Sequence, residues 1–111
     1  MSASGSIGRI WEKFYNAVRA LSGFGSPAER MTAAAAEIGQ LLPVDGMSAL
    51  PLFAGRYSVL MARLMDGADD PIRGAPHATA RSMDEATFMD VAAEILSLYD
   101  AVTRYMPHAE E

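Results

Sequence analysis

Large apolar residues recur along most of this chain at intervals of three and four, and no strand-length stretch alternates apolar with polar. On a helix turning 100° per residue that spacing lines them up along one side. The chain is therefore constrained to bury helical stripes against one another. Four stripes can be traced. Ile7, Ile10, Trp11, Phe14, Tyr15, Val18 and Leu21 define a helix over about 7–21. Met31, Ala34, Ala35, Ile38, Leu41 and Leu42 define a second over 27–42. Leu50, Phe53, Tyr57, Leu60, Met61, Leu64 and Met65 define a third over 49–66. Phe88, Val91, Ala92, Ile95, Leu98, Tyr99, Val102, Tyr105 and Met106 define a fourth over 83–106.

Local chemistry supports these boundaries. Ser26-Pro27-Ala28-Glu29 combines an N-cap serine, a proline in the first turn and a glutamate able to bond back to the cap. Gly23 and Gly25 end the first helix, Pro43 the second and Gly67 the third. Pro51 is tolerated only in a first turn. Ser82-Met83-Asp84-Glu85 reads as another capping box. Residues 67–81 hold two prolines, two glycines and one large apolar residue, Ile72, so they read as a long loop. Residues 107–111 read as a mobile tail. The expectation is one all-α domain spanning 1–111: a compact antiparallel four-helix bundle with a long loop between its third and fourth helices.

Composition removes several functions. The chain has no cysteine, which excludes disulfides, thiolate metal sites and thiol catalysis. The net charge of −5 is uneven: residues 1–30 carry +2, residues 31–81 carry −1 and residues 82–111 carry −6. An acidic C-terminal third repels phosphates, so no nucleic-acid partner is expected. No apolar run approaches the ~18 residues of a membrane span. A basic start followed by an apolar stretch and a cleavage site is also missing. The expected location is cytoplasmic. Eight arginines against one lysine (Lys13), with twenty alanines, suggest the GC-rich genome of a bacterium or phage.

Catalytic signatures do not emerge. Gly-x-Ser-x-Gly, phosphate-loop, dinucleotide and His-Glu-x-x-His patterns are missing. No catalytic residue, metal or cofactor is assigned, and a non-enzymatic protein is the preferred expectation. The surface is more informative. Met89, Ala93 and Leu96 form a second apolar strip on the fourth helix, and Tyr57, Met61 and Met65 widen the stripe of the third. Either these helices are packed on two sides or the extra residues face a partner. Methionine, present eight times, suits adaptable contact surfaces. Asp90 and Glu94 lie beside the strip and would steer a partner.

The first reading is thus a small helical protein-binding module acting through a methionine-rich helix face. An adaptor, an inhibitor or immunity protein, a chaperone or a phage-type regulator would fit. It would bind another protein or pair with itself as a homodimer. The alternative is a small-molecule-binding or enzymatic bundle with its site near 67–81. There Asp69, Asp70, Arg73 and His77 would orient a ligand. Arg56 and Arg63, seven residues apart on one helix side, would clamp an anionic group. A DNA-binding regulator built on the second and third helices ranks below both.

Overall fold

In a computed structural model of the chain, residues 3–41, 51–65 and 75–104 are described. They form α1 (Ala3–Leu21), α2 (Pro27–Gly39), α3 (Pro51–Leu64), α4 (Ala75–Ser82) and α5 (Glu85–Thr103). The fold is all-α, with five helices and no strand among the described residues. No described helix is long and apolar enough to cross a membrane.

The start of α2 follows from its sequence. The Ser26 hydroxyl accepts the Glu29 amide at 3.1 Å, and the Glu29 carboxylate accepts the Ser26 amide at 2.9 Å. The chain reaches this cap through Gly25, whose φ of +109° suits only glycine. Arg30 then ties the corner together. Its guanidinium donates to the Leu21 carbonyl at 2.9 Å and lies 5.6 Å from the Phe88 ring centre.

The core is built mainly from the stripes; Tyr15 and Met65 of the stripes are exposed, and Leu42, Leu50, Tyr105 and Met106 fall outside the described residues. Ile10, Phe14 and Ala17 of α1 meet Met31, Ala34, Ala35 and Ile38 of α2, with Leu41 just beyond it. Phe53, Tyr57, Leu60, Met61 and Leu64 of α3, Ala80 of α4 and Val91, Ile95, Leu98 and Val102 of α5 join it. Among the described residues Tyr57 is the largest fully buried side chain. Its hydroxyl donates to the Ile38 carbonyl at 2.7 Å, and its ring meets Phe14 edge-on. At the helix edges, Arg9 donates to the Gln40 carbonyl, Asn16 to Glu37 and Arg30 to the Leu21 carbonyl. The partners climb α1 while descending α2. Trp11 joins α1 to α5, donating to Thr103 at 3.0 Å and packing beside Tyr99.

Two sequence expectations change. The second half of the expected loop 67–81 belongs to α4, whose Thr79 and Ala80 are buried against neighbours; residues 67–74 fall outside the described residues. Small residues let a helix pack by close backbone approach, so a lack of large apolar side chains does not prevent packing. Pro76 sits in the first turn, where its missing N–H is not needed. Likewise Ser82 ends α4 instead of capping α5: its hydroxyl donates to the Thr79 carbonyl at 2.8 Å. The cap of α5 is Asp84, which accepts the Thr87 amide at 2.7 Å. Arg81 and Glu85, four residues apart, therefore belong to different helices.

Two predictions follow from these contacts. Tyr57→Phe removes only the buried hydroxyl and costs about 1 kcal/mol, whereas Tyr57→Ala costs about 3–5 kcal/mol; urea unfolding of both checks the order. At Asp84, hydrogen bonding from Thr87 holds the carboxyl below the usual carboxylate range. A depressed native pKa contributes stability above the unfolded value and loses it as pH falls through the native value. Asp84→Ala is therefore less stable than the parent at neutral pH. Thermal unfolding at descending pH should show that gap closing below about pH 4.

Candidate protein-binding surface

Two charged pairs bridge α3 and α5 at their outer edge and separate the outer sides of the two helices. Arg56 donates Nε and Nη2 to the two Glu94 carboxylate oxygens at 3.1 and 3.0 Å, and Nη2 also to the Ser97 hydroxyl at 2.8 Å. One helix turn and three residues further along α3, Arg63 meets Asp90 at 3.0 Å. These two rungs pair a basic row on α3 with an acidic row on α5. Hydrogen bonding to Glu94, joined by its charge, raises the Arg56 guanidinium above its ordinary value and keeps it ionised. The rungs stay wet: the four side chains are between 31% and 70% exposed.

Apolar residues flank this ladder on both sides. On α3, Leu52 and Val59 stand four residues before Arg56 and Arg63, about 40° further from the core. They are 84% and 64% exposed. On α5, Met89 and Leu96 are 62% and 49% exposed, and Ala93 between them is exposed too. Their positions lie opposite Val91, Ile95, Leu98 and Val102, which are buried. The face thus runs apolar, basic, acidic, apolar from α3 across to α5.

This arrangement separates the residues singled out from the sequence. Met89, Ala93 and Leu96 form an outward strip, with Asp90 and Glu94 beside it. Tyr57 and Met61 do not belong to any surface: both are buried. The reason is that α3 is packed on two sides, with Tyr57 reaching Ile38 and Met61 lying near Gly39 on α2. Met65 is 49% exposed, but its helix position places it on the flank of α3 away from the ladder. Arg56 and Arg63 point the same way, as their spacing requires, yet each is engaged by a carboxylate of α5 instead of standing open as an anion clamp. The proposed clamp and the proposed steering acids are thus two halves of one ladder.

His77 lies on α4, and Asp69, Asp70 and Arg73 fall outside the described residues. No group of three or more potential metal-ligating side chains occurs among the described residues. Beside α4 runs an open groove of about 590 Å³, lined by Val59, Arg63, Thr79, Met83, Thr87 and Val91. A second, of about 530 Å³, lies between the starts of α2 and α5, with Pro27, Ala28, Phe88 and Met89 among its walls. Val59 borders the first and Met89 the second, so both outer rows continue into concave surface.

Three exposed apolar residues carry more weight here than the sequence assigned them. Leu52 and Val59 sit outside the i, i+3, i+4 stripe, which itself is the signal that they face outward. Phe24 is fully exposed in the turn between α1 and α2. Its signal is the pair of flanking glycines, which take it out of either helix. Comparison with known protein families, with curated proteins and with solved structures finds no match in any of the three.

The ladder is solvent-exposed, so its internal contribution is small. At a dilution where the chain is a single copy, a double-mutant cycle on Arg56→Ala and Glu94→Ala should return a coupling of about 0.2–1 kcal/mol. A coupling several times larger would mean that the rungs hold α5 in place and are not a surface feature.

Proposed function

We propose that this chain is a small non-enzymatic protein-binding module, an antiparallel helical bundle that recognises its partner through the outer face of α3 and α5. The observation that carries the reading is the placement of exposed apolar side chains. Leu52, Val59, Met89 and Leu96 flank one ladder of paired charges, and none of them belongs to the buried core of the described residues. Scattered exposed hydrophobes need no explanation, but rows flanking a polar seam resemble the apolar and polar division of a protein interface. The partner is another protein or a second copy of the chain. The paired arginines and the net charge of −5 disfavour a nucleic-acid partner. The composition fits a cytoplasmic protein of a bacterium or phage. An adaptor, inhibitor or immunity protein, chaperone or regulator would act by such contact alone.

A photoreactive side chain placed at Met89 or Leu96 tests this directly. In living host cells each should yield adducts of discrete mass. The same probe at Ala33, on the exposed side of α2, should not. Adducts from Ala33 equal to those from α5, or none from either position, would sink the reading.

A second reading is favoured by the groove beside α4. Its volume of about 590 Å³ lies within the range of ligand pockets, roughly 300–1,000 Å³, and Thr79, Ser82 and Thr87 supply hydroxyls among apolar walls. Small apolar fragments screened by NMR should then shift the Thr79 and Thr87 methyl signals. A library that leaves both unmoved removes this reading.

A further inference from the structure

The order of rows across the α3–α5 face restricts what can cover it. A second copy can lie face to face on it about a two-fold axis in the plane between them. That axis can run across the helices or along them. Across the helices, each α3 lies over the partner's α3, and arginine row meets arginine row. Along the helices, each α3 lies over the partner's α5, and every row meets its complement. Arg56 then faces Glu94 of the partner subunit, and Arg63 faces Asp90 of the partner subunit. The row of Leu52 and Val59 covers the opposite row of Met89, Ala93 and Leu96. The face is self-complementary in one arrangement and self-repelling in the other.

Resting on the protein-binding reading above, we infer that the partner on this face is a second copy of the chain, related by a two-fold axis parallel to α3 and α5. Charge complementarity carries the choice. The ladder holds two positive and two negative groups, so it is locally neutral in a molecule of net charge −5. Two such acidic molecules repel at long range, and this face lets them approach without stacking like charges. The rungs are exposed in the single chain. Covering them with the apolar rows removes water, and ion pairs strengthen as the local dielectric falls. Each arginine has donors beyond those used within its own chain, so it can bridge its own and the partner's carboxylate.

Complementary charge reversal tests this. One variant carries Arg56→Glu with Arg63→Glu, the other Asp90→Arg with Glu94→Arg. The wild-type chain should scatter light as a species near twice its 11.9 kDa mass. Each variant alone should lose self-association by at least about a hundredfold, since like charges facing across an interface cost several kcal/mol. An equimolar mixture should restore the two-chain species. Circular dichroism must show both variants helical.

Because the chain has no cysteine, single replacements give a second readout that leaves the ladder intact. A mixture of the Val59→Cys and Ala93→Cys chains should form a mixed disulfide under mild oxidation, while neither links to itself. A wild-type monomer at all concentrations, a mixture that stays monomeric, or a Val59→Cys chain linking to its own kind would overturn the inference. If wild type stays monomeric while the α5 probes still capture a protein in cells, the binding surface stands and only the second copy is wrong. If both fail, the surface reading falls as well.

Discussion

The rotational setting of α3 is decided by Tyr57. A tyrosine ring can be fully buried only where its hydroxyl finds an acceptor, and the one it finds is the Ile38 carbonyl on α2. With that bond made and the ring set against Phe14, α3 cannot turn about its axis without stranding a buried hydroxyl. Everything on the outer side of the helix then follows from a 100° step per residue. Arg56, one residue before Tyr57, is carried to the edge facing α5. Arg63, two turns on, comes with it. Leu52 and Val59 are turned outward. A single buried hydrogen bond on the inner side thus organises the charged and apolar rows on the outer one.

The four long stripes and the Ser26 cap were legible because each depends on residues within a few positions of one another. The spacing of Ile10, Phe14 and Val18 needs no knowledge of what lies opposite; Ala17, which the stripe left out, is buried as well. The same locality explains what was missed. Nothing in Ala75–Ser82 announces a helix by large apolar spacing, because α4 is held by small residues packed closely against α2 and α3. Ser82 and Asp84 are both good caps, and which one is used depends on where α4 ends. Widened stripes were ambiguous for a similar reason. Periodicity shows that a helix has two apolar sides, but only its neighbours decide whether the second is covered. On α3 the extra side is covered by α2, so Tyr57 and Met61 are core. On α5 nothing in the described structure covers Met89 and Leu96.

The charged residues show the same limit more sharply. Read along the chain, Arg56 and Arg63 form a seven-residue pair and Asp90 and Glu94 a four-residue pair, and each pair suggests its own ligand. Only the packing of α5 on α3 reveals that the two spacings interlock, with Arg56 opposite Glu94 and Arg63 opposite Asp90. Isolated charges invite small ions and polyanions. Charges already paired at a surface offer little to either, because a ligand must first displace a partner held at hydrogen-bond distance.

What remains for such a ladder to do depends on its exposure. Wet ion pairs contribute little to a single chain, so their value to the fold is modest. Their arrangement is nevertheless specific, with one sign on each helix and an apolar row outside each sign. Large exposed hydrophobes are common on proteins and alone identify nothing. Here their rows run alongside the charged ones, so any partner that covers the apolar rows must also satisfy or desolvate the rungs between them. A partner presenting an unpatterned apolar surface would leave buried charge without added compensation, which is costly. On the proposed reading the ladder would act as a filter: apolar area would supply affinity, and the order of charges would reject partners that lack the complementary order. The chain itself presents that order, so on the proposed reading a second copy would meet both demands at once.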